Sequence, residues 1–192
     1  MSMLPVILMA SSAIPVLSSG QPMPALKGEF LTGRRALLPE AASGRVALLA
    51  FGFTYNSRFA VEAWVSRFRK DFGGKPKVTF YEIPMIGGMA RLAKWFIDSG
   101  MRKGTPRADH ENVITVYGGT EPWKVRLGYQ SPDAAYLILL DQHGIVRWLY
   151  TGTFDEESYR SLSDQVTALN AASSSACASA NDRRRSANQP HD

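Results

Sequence analysis

The residues best placed to do chemistry lie in 51–60 (FGFTYNSRFA), where an almost continuously apolar run, 45–53, passes into a helical pattern. A nucleophile at such a junction gains from the unpaired N–H groups and the dipole of the helix N-terminus, which lower a thiol's pKa and stabilise its anion. The junction here offers Thr54, Tyr55, Asn56, Ser57 and Arg58, and no thiol. The one cysteine, Cys177, lies in an Ala/Ser/Asn-rich stretch near the C-terminus. An intramolecular disulfide, a CxxC pair and a cysteine-rich zinc site are therefore excluded. Ser57 reads most simply as a helix N-cap.

Other reactive constellations are sparse. His110 and His143 are the only histidines in the central part of the chain, the first beside Asp109 and Glu111, the second in a turn. A metal centre needs three or four convergent ligands, so no metal is expected. Gly87 and Gly88 precede a helical pattern that could meet a phosphate. No GxxxxGK[ST], GxGxxG or GxSxG accompanies them, so no nucleotide cofactor or hydrolase elbow is expected. Trp123 lies in a loop-like segment with Lys124, Arg126 and Tyr129 nearby and reads as an exposed contact residue. Arg147, beside Trp148, reads as a member of the same face.

The elements that must position these residues follow from periodicity. The run 45–53 is apolar on both faces, as in a strand buried within a parallel or mixed sheet. A helix is expected over 57–72, with Val61, Trp64, Val65, Phe68 and Phe72 on one stripe and Gly73 and Gly74 ending it. A strand over 77–83 ends at Pro84. A second helix over 87–101 carries Met89, Leu92, Ala93, Phe96, Ile97 and Met101 as its packing stripe, and a strand over 112–117 follows. A short helical turn is expected over 122–127. Strands 135–140 and 145–150 flank Asp141, Gln142, His143 and Gly144 as a β-hairpin. Thr153 with Glu156 reads as the capping box of a closing helix stabilised by Tyr159, Leu162, Val166 and Leu169.

The order is strand, helix, strand, helix, strand, hairpin, helix, in one domain. The expected division is a signal-like or disordered lead (1–22), a folded body (23–169) and a solvated tail (170–192). The lead is apolar from Met3 to Leu17, but no Lys or Arg precedes it, Pro5 and Pro15 interrupt it, and Arg34 and Arg35 follow soon after. Export and retention both stay open. A signal would place the chain in the cell envelope or periplasm, or at a membrane; its absence would leave it in the cytoplasm. The formal net charge of +5 and the triplet Arg183, Arg184 and Arg185 raise the case for nucleic acid only slightly.

This order resembles the thioredoxin-like arrangement, an α/β three-layer sandwich with a mixed central sheet, a C-terminal β-hairpin and a closing helix. Within it, FGFTYNSRFA looks like the FGYTHCPDVC-type segment of the Sco copper-chaperone branch: Phe51, Gly52 and Thr54 match, and Phe53 and Tyr55 are close. The two metal-binding cysteines of that motif fall on Asn56 and Ala60, and its histidine falls among Ser131, Pro132 and Asp133. Copper binding and disulfide chemistry are therefore not carried over. Aligned instead to a peroxiredoxin-type T-x-x-C, Thr54 matches and the thiol becomes Ser57, which has no accessible anion near neutral pH and no sulfenic-acid chemistry. Residues 136–162 (YLILLDQHGIVRWLYTGTFDEESYRSL) look like the end of the mitochondrial ATP-synthase assembly factor family at Asp141, Ile145, Arg147, Trp148, Gly152, Glu157 and Leu162. That family is thioredoxin-like without obligatory redox cysteines.

The expectation is a non-catalytic binding module without cofactor, an assembly factor or chaperone for subunits of a membrane protein complex. Asn56, Ser57 and Ala60 would be its degenerate redox positions, and Thr54, Tyr55, Arg58, Trp123 and Arg147 its partner-binding surface. The alternative is a divergent peroxiredoxin-like or thiol-oxidoreductase-related enzyme.

Overall fold

A central strand with apolar side chains on both faces must be covered on both, and the computed structural model shows how. It describes residues 14–88 and 93–186, with 173–186 given as helix backbone. Strand β3 (Val46–Gly52) sends Ala47, Leu49 and Phe51 into one core and Val46, Leu48 and Ala50 into the other. It pairs in parallel with β4 (Val78–Ile86) and antiparallel with β6 (Ala135–Leu140). With β1 (Leu26–Phe30), β2 (Arg35–Leu38), β5 (Ile114–Tyr117) and β7 (Val146–Gly152), the sheet runs β2-β1-β5-β4-β3-β6-β7.

Helix α1 (Ser57–Phe72) buries Val61, Trp64, Val65, Phe68 and Phe72, the stripe read from the sequence. It shares the second core with Tyr159, Leu162 and Val166 of α4 (Glu156–Ser186). On the opposite face, α3 (Thr120–Arg126) contributes Trp123 to the first core. Helix α2 (Lys94–Gly104) lies over β1 and β5: Asp98 accepts a hydrogen bond from Tyr117, and Lys94 pairs with Glu29.

Several elements differ from the sequence reading. The β1–β2 hairpin was not expected and extends the sheet by two strands beyond β5. Strand β4 continues through Pro84, which faces Gly52, the last residue of β3, so the missing N–H falls where that ladder ends. The strand then carries on by pairing Met85 and Ile86 with Val116 and Tyr117. The closing helix is capped by Asp155, whose Oδ1 accepts the Ser158 N–H at 2.8 Å; Thr153 does not serve as its cap.

The folded body also starts earlier than residue 23. Leu17 is buried, the Gly20 N–H donates to Val146 O at 2.7 Å, and the Val146 N–H donates to Gln21 O at 2.9 Å. At the other end α4 stays helical to Ser186, across most of the stretch read as a tail, and includes the backbone of Cys177.

The largest departure is α2. The expected stripe placed Phe96, Ile97 and Met101 against the sheet. Instead Phe96 is exposed, Ile97 and Met101 are half-buried, and the buried residue is Asp98. Met89 and Leu92 lie outside the described residues.

Candidate functional site

The parallel strands β3 and β4 end together, and the chain leaves β3 through Phe53 and Thr54 into the N-terminus of α1. Three bonds between Thr54 and Ser57 knot this junction. The Ser57 N–H donates to Thr54 Oγ1 at 3.0 Å, and the Thr54 N–H donates to Ser57 Oγ at 3.1 Å. The Ser57 hydroxyl proton goes to Thr54 O at 2.8 Å. Thr54 Oγ1 also lies 3.1 Å from Pro132 O and 3.0 Å from Asp133 Oδ1, tying the junction to the loop before β6.

This is a reciprocal capping arrangement with serine in the place usually held by Glu or Gln. The helix-starting N–H is satisfied by Thr54, so Thr54, rather than Ser57, supplies the cap expected from the sequence.

Ser57 is fully buried and its proton is committed to a backbone carbonyl, with no base beside it. Gly52 makes this closure possible, since a Cβ there would stand 2.7 Å from Ser57 Oγ. The hydroxyl is therefore structural and unfit as a nucleophile. Asn56 is exposed and Ala60 is buried against the second core. None of Asn56, Ser57 and Ala60 carries a thiol.

What the junction shows to solvent is aromatic and cationic. Tyr55 and Phe59 are 73% and 58% exposed. The Arg58 guanidinium lies 3.9 Å from the Tyr55 ring centre and 4.5 Å from that of Phe59. Phe59 was not singled out from the sequence. Its signal was available, because it falls off the stripe formed by Val61, Trp64, Val65 and Phe68.

Behind the junction, Phe53 packs edge-on against Tyr129 and Tyr136 at 5.1 and 5.5 Å. Tyr136 OH accepts the N–H groups of Gln130 and Ser131 and donates to Ser131 O, which fixes the 130–133 loop beside Thr54. The loop that faces the junction thus carries Asp133 and no histidine.

The remaining two expected contact residues are not part of this surface. Trp123 is 5% exposed and stacks on Phe51 with ring centres 5.6 Å apart. It is a core residue beneath the site, because α3 turns it inward together with Leu127. Arg147 sits at the opposite end of the sheet, where β6 and β7 leave the hairpin. There its Nε and guanidinium nitrogen bind Asp141 Oδ2 at 2.8 and 2.7 Å. Burial of Asp141 works against its ionisation, but the Ile145 N–H, Arg147 and the His143 N–H together hold its carboxyl below the usual range. Arg147 is the counter-ion of a hairpin turn.

Among the described residues, no group of three or more His, Cys, Asp or Glu is arranged to hold a metal ion. No helix among them is long and apolar enough to cross a membrane.

A mixed sheet whose central parallel strands feed helices on one face, closed by an antiparallel hairpin and a last helix, defines a thioredoxin-like fold, and solved structures agree. A putative protein disulfide isomerase from Bacteroides thetaiotaomicron is 15% identical, covers 80% of this chain and 91% of its own, and superposes with a TM-score of 0.56. A member of the Sco family of cytochrome c oxidase assembly proteins is 12% identical over 80% of this chain and 96% of its own, at a TM-score of 0.56. A thiol peroxidase from Chromobacterium violaceum is 15% identical over 80% and 88%, at 0.53. At such identities the likeness is one of fold. No family model matches the chain, and no curated protein sequence does.

Proposed function

We propose that this chain is a non-catalytic thioredoxin-like binding module that engages a protein partner through the loop and first turn of α1. The observation that carries the reading is the inversion of roles at the β3–α1 junction. The residue aligned with a reactive thiol, Ser57, is sealed inside a hydrogen-bonded knot, while Tyr55, Arg58 and Phe59 stand in solvent as one stacked cluster. Tyrosine and arginine are the side chains over-represented where single residues dominate binding. Stacking on Arg58 also holds the two rings in place, so less side-chain freedom is lost on association.

The partner class we propose is a subunit of a membrane protein complex, with the chain acting as an assembly or accessory factor. Support comes from the resemblance of residues 136–162 to the ATP-synthase assembly factor family and of 51–60 to the Sco-type segment, whose cysteine positions are here Asn56 and Ala60. The test is a photo-crosslinking residue at position 55, introduced into the full chain in its native host. The expected result is an adduct with a subunit of a membrane complex that is lost in an Arg58→Ala, Phe59→Ala chain. No adduct, or an adduct indifferent to those substitutions, overturns the assignment.

A further inference from the structure

An amphipathic helix normally turns its large apolar side chains to the core, and α2 turns its two aromatic residues outward. Its underside is polar and tightly bonded. Lys94 Nζ bridges Asp98 Oδ2 at 2.6 Å and Glu29 Oε1 at 3.0 Å. Tyr117 OH donates to Asp98 Oδ1 at 2.6 Å, and Arg102 Nε donates to Leu31 O at 2.7 Å. Burial and the bond to Asp98 both push the Tyr117 phenol well above its ordinary range, so it stays a donor at any physiological pH. Each of these groups has a partner, and with only Ile97 and Met101 half-buried the helix lies on the sheet with little apolar burial.

The consequence is on the outer side. Trp95 and Phe96 are 73% and 75% exposed and touch edge to face with ring centres 5.2 Å apart. Along 94–107 the exposed charge is of one sign. Between residues 94 and 107 the only acid is Asp98, which is buried, whereas Arg102, Lys103 and Arg107 are exposed. Among the described residues, none of these three cations has a carboxylate within ion-pair distance.

We propose that the outer face of α2 docks on an anionic lipid surface. Tryptophan and phenylalanine seat at the headgroup level of a bilayer, and a helix lying in that plane is held by its apolar side together with flanking cations. The charge complementarity decides the occupant, since each cation near an anionic leaflet adds attraction that an uncharged partner would not supply. This inference does not rest on the Tyr55, Arg58 and Phe59 site, which lies on another helix.

The test is flotation of the full chain with vesicles of phosphatidylcholine alone or containing phosphatidylglycerol, read also by tryptophan emission. Trp64 and Trp123 are buried and Trp148 is half-buried, so a blue shift on binding reports chiefly Trp95. The expected result is binding to the anionic vesicles with a blue shift, weakened at least tenfold by Trp95→Ala with Phe96→Ala. Lys103→Glu, a surface change remote from the polar underside, should weaken binding at least fivefold with near-UV circular dichroism unchanged. Three results overturn the proposal: equal binding to both vesicle types, binding that survives the double substitution, or protection of Trp95 by self-association without lipid.

Discussion

Removing the Ser57 hydroxyl tests the knot that defines the junction. Ser57→Ala deletes the acceptor of the Thr54 N–H and the donor to Thr54 O but leaves the Ser57 N–H on Thr54 Oγ1. Each buried group left without a partner costs about 1–3 kcal/mol. Thr54 is only partly buried, so water recovers part of its N–H and carbonyl, and the total should be about 2 kcal/mol rather than twice that. For a chain of this length that lowers the melting temperature by roughly 4–8 °C. Thr54→Ala removes the cap and the tie to Asp133, at a cost of about 1–2 kcal/mol. Because both changes loosen the same four-residue turn, the double variant should lose about 1 kcal/mol less than the sum. Urea unfolding of the four chains gives the cycle. A Ser57→Ala chain within about 0.5 kcal/mol of the parent would refute the reasoning, since the hydroxyl would then be free for another role.

Two further outcomes concern the residues moved off the surface. Trp123→Ala should cost about 3–5 kcal/mol in chemical unfolding, as truncation of a buried aromatic stacked on Phe51 does; a cost below about 1 kcal/mol would restore it to the surface. Asp141 has a folded-state pKa below its unfolded value, so its contribution is fully present above the unfolded value near 4 and disappears as pH falls through the folded one. Asp141→Asn should therefore lose about 1–2 kcal/mol at neutral pH, since the Arg147 left behind is half-exposed, and show a flatter stability profile below about pH 5. Parallel profiles for the two chains would contradict the ion pair's role.

Much of the scaffold was legible in the sequence because burial there follows period. Helix α1 matches the 57–72 stripe, and β3 and β6 match apolar runs with no polar interruption. The β1–β2 hairpin was not legible, since Gly28 takes an inward position of β1 and Leu37 an outward position of β2, which leaves too short an alternation in either strand. Trp123 was misplaced because a seven-residue helix shows too few turns for its Trp123–Leu127 pair to stand out as a stripe. Helix α2 was not legible in its orientation: a period locates the apolar side of a helix but says nothing of which side faces the sheet, and here ion pairs take much of the inner one. At the candidate site, Tyr55, Ser57 and Arg58 were legible from the junction alone. The reciprocal bonding of Thr54 with Ser57 needed the geometry.

At the centre of the proposed function is a β3–α1 junction that forms a closed structural turn in place of a reactive thiol, and with it an expected lack of thiol chemistry. The most direct measurement is reduction of insulin disulfides by dithiothreitol in the presence of the purified full chain carrying Cys177→Ser. The account predicts a rate equal to that of dithiothreitol alone at every protein concentration. A rate that rises in proportion to the chain would contradict it.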